Sequence, residues 1–588
     1  MIRSRFIGLL LSLCLLLPAV FGGAGLAYGD SFTFFQGTQY PLTVHWLKGD
    51  QPGPTVLVQG GIQGDEVAGF LTAQLISHCK VRKGNLIVVP RANVPTVQQH
   101  TRQVNVDLNR RFDKDYNDYY EDRLARVIRY LLAPCDAFIH LHEGSGFYHP
   151  TYVDSLRNPK RYGQSVIIDT KTYKGRVFLE QFANKVLDQL NPTVVPASYR
   201  FRLFNTETFA SNSHYSEQRK SLTYYALNHH CIPALAIEVS KDIIQVDWKV
   251  RQQLKAVQLF LKTFGVIVDL PEVSDKTIRN YMGPEPLILV NGKEINSKVK
   301  QLSLDALAPI RVSAQKPPSI FSPVPSVTAA DSSSMDLINA PRMALTPFKY
   351  LQVRVDGKRM TRIPIVWKGS WTATAKSDKP LFVCWLNDSL LFVPAGGVLE
   401  TVEGDQLRLD GIWGQTSEEI INIKGLVTSA GRNDGQDAGC EVVLDSGMFI
   451  RRYLDSPKNG PGVVCRVVRE TKGQTRSDFH IAIRPRTVKA FKLLTDSGHS
   501  IFVPFKNGHS HNMTPGRYVL DTCWSNGTID KVLVLLDGKP LSWGASFTMG
   551  SNETRKLSLM QATTFQPLGS MELCASHLAQ VSTPPSLF

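Results

Sequence analysis

The stretch Thr55–Glu66, TVLVQGGIQGDE, decides the fold, because an apolar run ends there in a turn that carries two polar side chains. The run Val56–Val58 is rich in β-branched residues and is closed by a glycine pair that begins at Gly60, a pattern that predicts a strand followed by a turn. Gln63 and Glu66 follow three residues apart, and this spacing places two side chains on one face of a helical turn. We expect these two side chains to converge on one point beyond the strand.

Two later runs end in the same way. Ala137–His142 is apolar and stops at a Gly-Ser-Gly turn, and Ala234–Glu238 is apolar and stops before Ser240. Each run therefore presents a histidine or a glutamate at its carboxyl end. Open α/β sheets build their ligand sites outside the carboxyl ends of their strands. The pattern predicts that the polar ends of all three runs meet in one site.

Helical periodicity lies between the strand-like runs. Apolar residues recur at helical spacing in residues 121–132, 177–190 and 247–264. Asp247 is expected to cap the third of these helices, since aspartate is a favoured residue at helix starts. Strands that alternate with helices predict an α/β layer domain.

Four pieces of the chain, in order, resemble the funnelin zinc carboxypeptidases of the carboxypeptidase A type: Gln63-x-x-Glu66, Asn105-Val-Asp-Leu-Asn109-Arg110, His142-Glu-Gly and Glu238. Those enzymes read His-x-x-Glu, Asn-Arg, His and a late catalytic Glu. With glutamine in place of the first histidine, the pattern resembles that of a narrower group, the murein tripeptide carboxypeptidases that set cell shape in helical and curved bacteria. The resemblance covers about residues 40–265. It implies a mixed-sheet α/β domain followed by β-rich domains.

The resemblance also implies one zinc ion per chain, held by Gln63, Glu66 and His142. Catalytic zinc uses about three protein ligands and keeps one position open. An amide oxygen is a weaker donor than an imidazole, so a decayed metal site in a non-catalytic protein is the alternative explanation of Gln63. Every other part of the pattern is present, which favours an enzyme.

By the same resemblance Glu238 is the general base, which takes a proton from water and passes it to the leaving amine. The alternative is a strand-end glutamate that is paired with Lys241. Asn109 and Arg110 resemble the pair that clamps the terminal carboxylate of the substrate, a task for which a guanidinium is suited because it donates two parallel hydrogen bonds. Arg102 stands near the position where the family has an arginine that stabilises the scissile carbonyl oxygen.

The N-terminus predicts export. Arg3 and Arg5 precede the apolar run Phe6–Phe21 and a set of small residues, which is typical of a secretory signal peptide over residues 1–29. The run is shorter than the roughly 20 residues of a membrane helix, so an uncleaved anchor is the less favoured alternative. We expect the mature protein in the periplasm, with no later stretch apolar enough to span a bilayer.

Charge and cysteine content restrict the partners. The formal net charge is +15, and removal of residues 1–29 takes away two arginines and no acidic residue, which leaves +13. Such a balance favours anionic surroundings such as the peptide carboxylates of a cell wall. No nucleic-acid recognition motif accompanies it, so nucleic acid is not an expected partner. The eight cysteines after residue 29 contain no Cys-x-x-Cys pair, which argues against a cysteine zinc site, although export would permit disulfides.

Beyond residue 268 short β-prone runs meet Asn-Gly or Asp-Gly pairs, as at Asn291, Asp356 and Asp537, and these pairs predict hairpins. The pattern favours all-β, sandwich-like modules. The predicted division of the chain is a signal peptide over 1–29, a zinc carboxypeptidase domain over 30–268, a β-rich module with a Pro/Ser-rich insertion over 269–425, and a second β-rich module with the C-terminal tail over 426–588.

The function that these features predict is a periplasmic zinc D,L-carboxypeptidase. By resemblance it removes meso-diaminopimelate from uncrosslinked L-Ala-γ-D-Glu-meso-diaminopimelate stem peptides of peptidoglycan and so influences cell shape. The β-rich modules would shape the substrate cleft or contact wall and cell-shape proteins. Two alternatives remain: a deacylase similar to succinylglutamate desuccinylase and aspartoacylase, which shares the strand–Gly-Gly–ligand turn, and a non-catalytic pseudo-peptidase that binds cell wall or partner proteins.

Overall fold

The computed structural model describes most of the chain, in eight stretches: residues 31–315, 319–332, 335–338, 340–371, 379–414, 420–426, 435–471 and 473–575. The predicted signal peptide over residues 1–29 lies outside the described residues. In these stretches we find no helix with the length and apolar character that a membrane crossing requires.

The N-terminal part of the structure is built on one nine-stranded mixed sheet, with the order β1-β2-β4-β3-β5-β10-β8-β9 and with β11 beside β4. Its strands are β1 Ser31–Phe34, β2 Leu42–Lys48, β3 Gln51–Gln59, β4 Lys80–Val89, β5 Ala137–Gly144, β8 Ser165–Ile168, β9 Arg202–Asn205, β10 Ala234–Ser240 and β11 Ile267–Asp269. A separate short pair consists of β6 Phe147–Tyr148 and β7 Arg157–Asn158.

The middle of this sheet is parallel. Strand β5 pairs in parallel with β3 on one side and with β10 on the other, while β2 and β8 add antiparallel neighbours further out. The carboxyl ends of β3, β5 and β10 therefore lie side by side at one edge of the sheet. This arrangement is the reason that residues from three distant parts of the sequence meet.

Helices cover both faces of the sheet: α1 Val67–Ile76, α2 Val94–Gln99, α3 Tyr120–Leu132, α4 Leu179–Leu190, α5 Leu222–Tyr225, α6 Val246–Thr263 and α7 Asp275–Arg279. Successive side chains of a strand point to opposite faces. Val56 and Val58 accordingly pack in the core formed with α1, α4 and α6, whereas Leu57 packs in the core formed with α3. The predicted α/β mixed-sheet domain is confirmed.

The three periodic segments are helices, but the start of the third differs from the prediction. Helix α6 begins at Val246, so Asp247 lies in its first turn and Gln245 occupies the cap position. The Asp247 carboxylate instead forms an ion pair with Arg279 on α7. The Asp247 side chain therefore makes a tertiary contact with α7 and does not cap its own helix.

The described residues of the C-terminal half are β-rich, as expected, and form three large hydrophobic cores and one small apolar cluster of Met343, Leu345 and Val383. The first core is formed by β12 Leu287–Val290, β13 Lys293–Ile295, β14 Leu302–Asp305, β15 Pro309–Ile310, β16 Val312–Gln315, β17 Pro325–Ala329, β19 Tyr350–Val355 and β20 Lys358–Lys368. Strand β18 Arg342–Met343 pairs with β15 beside this core. The second core is formed by β21 Leu381–Leu386, β22 Ser389–Pro394, β23 Val398–Val402, β24 Gln406–Ile412, β25 Ile420–Ile423, β26 Glu441–Val443, β27 Val463–Thr471 and β28 Gln474–Arg484. The third core is formed by β29 Val488–Thr495, β30 Ser500–Pro504, β31 Ser510–Met513, β32 Gly516–Ser525, β33 Val532–Leu536, β34 Lys539–Leu541, β35 Ser546–Met549, β36 Thr554–Gln561 and β37 Pro567–Ala575. The boundary predicted at residue 425 falls between β25 and β26, and the division into domains stays a prediction.

The hairpin turns form where the Asn-Gly and Asp-Gly pairs stand. Asp356 and Gly357 join β19 to β20 with φ values of 42° and 76°. Such a turn requires positive φ at both central residues, a conformation that glycine adopts freely and that asparagine and aspartate tolerate. The pairs at Asn291 and Asp537 turn in the same way between β12 and β13 and between β33 and β34.

The β-rich half packs directly on the α/β domain. Leu533, Leu535 and Phe565 belong to the same apolar cluster as the inner residues of α3. The β19–β20 turn also contacts the α/β domain: Arg91 and Asp356 form an ion pair of 2.9 Å with side chains that are 6% and 0% exposed. Free thiols in the part of the chain that the structure describes are Cys79, Cys135, Cys231, Cys384, Cys465, Cys523 and Cys574.

Candidate active site

A cleft of about 300 Å³ opens at the carboxyl ends of β3, β5 and β10. Every site residue predicted from the sequence lines it: Gln63, Glu66, Arg102, Asn109, Arg110, His142 and Glu238. The structure thus brings together all seven residues. Their individual roles depend on the contacts described next.

The amide of Gln63 is held by a carboxylate. Gln63 Nε2 donates to both oxygens of Asp107, at 3.2 Å from Oδ1 and 3.3 Å from Oδ2. A glutamine amide has one donor end and one acceptor end, so this contact leaves Oε1 as its available atom in the cleft. An oxygen donor thereby stands beside the carboxylate of Glu66 and the imidazole of His142.

The turn that carries Gln63 and Glu66 is packed tightly on α2. A side chain at Gly64 would overlap the backbone of Thr96 and Val97, and Gly64 N donates to Thr101 O at 3.0 Å. Glycine is required here for this close approach of two backbones. A displacement of α2 would consequently displace the turn that carries Gln63 and Glu66.

His142 is linked to Glu66 on one side and to His140 on the other. Its Nδ1 lies 2.8 Å from Glu66 Oε2, and its Nε2 lies 3.1 Å from His140 Nδ1. Burial alone would lower the pKa of His142, but the charge and the hydrogen bond of Glu66 outweigh it and raise the pKa. For His140, burial and the neighbouring His142 lower the pKa well below its usual value, so His140 is neutral.

The donor set suits a metal ion. Within the described residues no group of three or more His, Cys, Asp or Glu side chains is arranged to hold a metal. The cleft combines Glu66 and His142 with the free amide oxygen of Gln63, three donors of the kinds that divalent metals bind. The proton that Nδ1 and Glu66 share would leave on binding, as metal ligation requires deprotonated donors.

Glu238 stands next to His142 on the neighbouring strand. The two residues are register partners in the parallel pair β10–β5. Gly144 gives the carboxylate its space, because a Cβ at this position would overlap Glu238 Oε2. Burial raises the pKa of Glu238 to about 7, with attraction by His142 and repulsion by Glu66 acting in opposite directions. A group that titrates near neutral pH is suited to proton transfer in both directions.

Lys241 does not pair with Glu238. Its Nζ lies 2.5 Å from Asp65 Oδ2 and 3.9 Å from Glu66 Oε1. The alternative explanation of Glu238, a strand-end glutamate neutralised by Lys241, is therefore not what the structure contains.

The cationic side of the cleft is organised by Asp107. Arg102 Nη2 donates to Asp107 Oδ2 at 2.7 Å, and Arg110 donates through Nη1 to the backbone oxygen of Asn109 at 2.8 Å. The Asn109 side chain accepts from Leu222 N at 3.1 Å. Arg102 and Arg110 both line the cleft, where they can attract an anionic group.

Sequence reasoning missed three side chains of this region. Asp107 lies inside the motif that ends at Asn109 and Arg110, and this position was the only sequence signal that it belongs to the site. Asp169 lines the cleft but follows a short strand with no motif. Glu143, next to His142, pairs with Lys249 at 2.6 Å and accepts from Ala68 N at 2.5 Å, which ties β5 to the start of α1.

The fold and the cleft are those of an α/β domain with the features of a carboxypeptidase. Residues 41–270 match the family described as the catalytic domain of a carboxypeptidase controlling helical cell shape. The resemblance drawn from the four motifs is confirmed over this segment, which is similar to the carboxypeptidases of the cell-shape type.

Individual proteins resemble the chain more weakly. The cell shape determinant protein Csd4 from Helicobacter pylori, solved with a bound tripeptide, is 21% identical over 75% of this chain and 100% of its own, with a TM-score of 0.44. A succinylglutamate desuccinylase/aspartoacylase from Rhodobacter sphaeroides is 18% identical over 43% of this chain and 71% of its own, with a TM-score of 0.29. The N-alpha-acetyl-L-2,4-diaminobutyric acid deacetylase of Halomonas elongata is 32% identical over 99 residues, which is 16% of this chain. The chain spans only 29% of the length of that curated relative.

Proposed function

We propose that the protein is a periplasmic zinc D,L-carboxypeptidase that removes meso-diaminopimelate from uncrosslinked L-Ala-γ-D-Glu-meso-diaminopimelate stem peptides. The observation that carries this proposal is the convergence of Gln63, Glu66, His142 and Glu238 at one edge of the sheet, beside two arginines. The match of residues 41–270 to a cell-shape carboxypeptidase family supports it. The signal peptide, the catalytic domain over 30–268 and the β-rich modules over 269–425 and 426–588 belong to the same proposal.

The proposed mechanism assigns one task to each group. Zinc held by Gln63, Glu66 and His142 would polarise the scissile carbonyl and acidify a water molecule. The Glu238 carboxylate takes a proton from the attacking water and delivers it to the leaving amine. Asp107 keeps the Gln63 amide oriented with its oxygen free, a supporting role of the kind that commonly tunes a ligand.

The arginines act on substrate charge. Arg110 binds the free main-chain carboxylate of the leaving residue, with Asn109 holding the segment in place through Leu222. Arg102 stabilises negative charge on the carbonyl oxygen, and its salt bridge to Asp107 keeps it at the mouth of the cleft.

Incubation with defined muropeptides, with products identified by mass, tests the proposal. We expect a free tripeptide to lose diaminopimelate, and a tripeptide amidated at the main-chain carboxyl of diaminopimelate to be cleaved poorly. Loss of a charge-assisted hydrogen bond costs roughly 1.5–3 kcal/mol, or about ten- to a hundredfold in kcat/KM. Equal cleavage of both forms would contradict the Arg110 clamp and indicate an endopeptidase.

The metal site has its own test at Gln63. We expect Gln63→Ala to lose most zinc binding and activity. Gln63→His should keep zinc and measurable activity, because an imidazole can bind metal through one nitrogen and donate to Asp107 through the other. Zinc affinity is measured by chelator competition beside muropeptide turnover. Gln189→Ala, on the exposed face of α4, serves as the control. If Gln63→Ala binds zinc as tightly as the wild type does, Gln63 is not a ligand. If the folded wild-type protein itself binds no stoichiometric zinc, the result favours the alternative of a non-catalytic pseudo-peptidase.

A deacylase remains the second candidate, since the chain shares a 99-residue segment with a diaminobutyric acid deacetylase at 32% identity. Assay of N-acetylated diamino acids beside the muropeptides separates the two activities. We expect turnover of the muropeptide and none of the acetylated amino acids.

A further inference from the structure

The sheet face that forms the cleft continues beyond it onto the outer strand β9. Ile167 of β8 lines the cleft, and its register partner in the parallel pair β8–β9 is Phe204. Register partners point to the same face of a sheet, and successive residues point to opposite faces. Val166, the neighbour of Ile167, accordingly lies on the other face, in the core formed with α1, α4 and α6. Phe204 therefore stands beside the cleft, on the same side of the sheet.

A row of aromatic rings is stacked on Phe204. The ring of Tyr162 lies 4.0 Å from that of Phe204 between centroids, with 9° between the planes, and the ring of Tyr148 follows at 4.9 Å and 28°. Tyr215 meets Phe204 edge-on at 5.3 Å. Both faces of Tyr162 are thus covered by rings. Tyr148 ends the row, because Tyr162 is its one ring neighbour among the described residues.

The hydroxyls of this row have unused hydrogen-bonding capacity. Tyr162 and Tyr215 form hydrogen bonds through their backbone atoms, but within the described residues the hydroxyls of Tyr148, Tyr162 and Tyr215 form none. Burial raises the pKa of Tyr162, and the phenols of Tyr148 and Tyr215 lie near enough to raise it further. The row therefore combines flat apolar rings with a group of polar atoms that can donate and accept.

The loop that follows Tyr148 adds exposed apolar surface. Between β6 and β7, Tyr152 is 73% exposed, Val153 46% and Leu156 38%. Such a concentration of exposed apolar side chains is typical of an interaction site. A pyranose ring suits this surface, because the carbon-bound hydrogens of its faces are apolar and the groups around its rim form hydrogen bonds.

We propose that Tyr148, at the end of the aromatic row, forms a carbohydrate-binding site for the amino sugar that carries the stem peptide. The inference rests on the proposed function and deepens it. Stem peptides are joined through L-Ala to the lactyl group of N-acetylmuramic acid, so two residues separate the proposed scissile bond from the sugar. Two extended residues span roughly 7 Å, and the three positions from Ser145, which lines the cleft, to Tyr148 span at most roughly 10 Å. The peptide is therefore long enough to connect the cleft with Tyr148.

Packing alone is the competing explanation: the aromatic row would only attach the β6–β7 loop to β8 and β9. The two explanations differ in which ligands lose affinity when Tyr148 is replaced. Loss of a sugar contact weakens only ligands that carry the sugar. A displaced loop would disturb Ser145 and the cleft wall, and would weaken peptide ligands with and without the sugar.

Calorimetric titration with two ligands tests the site without turnover. The ligands are the dipeptide L-Ala-γ-D-Glu and the same dipeptide carrying the N-acetylglucosaminyl-N-acetylmuramyl disaccharide, and both lack the proposed scissile bond. We expect the wild type to bind the disaccharide form about tenfold more tightly, the combined effect of one stacked ring and one hydrogen bond. Equal affinities in the wild type overturn the proposal, and this measurement depends on no variant.

Tyr148→Ala should bring the two affinities within about twofold of each other and leave that of the dipeptide unchanged. Tyr148→Phe keeps the ring and should keep most of the gain from the disaccharide. Tyr453→Ala, at a tyrosine that is 41% exposed in the C-terminal half, is the control and should change neither affinity. A gain that survives Tyr148→Ala would place the sugar elsewhere and overturn the proposal. An equal loss for both ligands would assign Tyr148 to packing of the loop and overturn it as well.

Failure of this site and failure of the proposed function give different results. Cleavage of the tripeptide by a wild type that gains nothing from the disaccharide would contradict the carbohydrate site alone. A gain that Tyr148→Ala removes, in a protein that leaves the tripeptide intact, would support the site and contradict the carboxypeptidase assignment.

Discussion

Replacement of Glu238 by Gln is expected to lower kcat by about 10²- to 10⁴-fold while zinc content stays at the wild-type level, because a positioned general base contributes about that factor. Glutamine keeps the shape that Gly144 accommodates, so the variant should fold. It cannot take a proton from water at the pH of the assay. Turnover of the tripeptide and zinc content per chain are measured on the same preparation.

The control is Glu180→Gln, which makes the same chemical change at a partly exposed residue of α4, outside the cleft. Its ion pair with Lys171 lies at the surface and is worth roughly 0–1 kcal/mol, so activity should be unchanged. Loss of zinc from Glu238→Gln would instead make Glu238 a ligand. Full activity would remove it from the mechanism.

The second large effect is expected at the contact between the α/β domain and the first β-rich core. Arg91 Nη2 binds Asp356 and the backbone oxygen of Phe321, and Asp356 Oδ1 accepts from Val324 N at 2.9 Å. Asp356→Asn would leave Arg91 buried without its countercharge. Removal of one partner of a buried ion pair costs about 3–5 kcal/mol.

Asparagine isolates this charge effect, because it tolerates the left-handed turn conformation that Asp356 adopts at φ 42°. The same change in an exposed pair provides the control: Asp269 pairs with Arg82, and both side chains are about half exposed. Asp269→Asn should leave the stability almost unchanged, because solvent screens an exposed pair. Urea unfolding measures both variants, and equal stability of the two would show that the Arg91–Asp356 pair does not join the two parts of the molecule.

Zinc affinity should fall with Asp356→Asn as well. A side chain at Gly357 would meet Val97 O at 2.5 Å, so the β19–β20 turn lies against α2, on which the turn of Gln63 and Glu66 is packed. A displaced β19–β20 turn would release α2 and loosen the ligand turn. Chelator competition on Asp356→Asn and Asp269→Asn checks this link, and an unchanged zinc affinity in both would contradict it.

The sequence predicted the site through its strand ends. Gln63, Glu66, His142 and Glu238 each follow an apolar run, and the parallel order β3-β5-β10 brings these ends together. Periodicity and the order of motifs are local properties, so they could be recognised without a structure.

What could not be predicted depends on partners that are distant in sequence. Asp107 holds Gln63 from 44 residues away, and Asp356 holds Arg91 from 265 residues away. No local pattern encodes such a choice of partner. Asp247 illustrates the same limit, since its sequence position suits a helix cap but its carboxylate pairs with Arg279.

The contact between Asp356 and Arg91, which are 265 residues apart in sequence, has a consequence for the order in which the protein folds. Chains are synthesised from the N-terminus, and contacts between residues that are distant in sequence form slowly in folding. The ligand turn is complete in sequence by residue 66, but the β19–β20 turn that supports it through α2 is made almost 300 residues afterwards. A truncated chain would thus possess every proposed zinc ligand and still lack their support. Under the proposed function, hydrolytic competence would then arise only after the β-rich half has followed, and unfinished copies of the protein would not cut the cell wall.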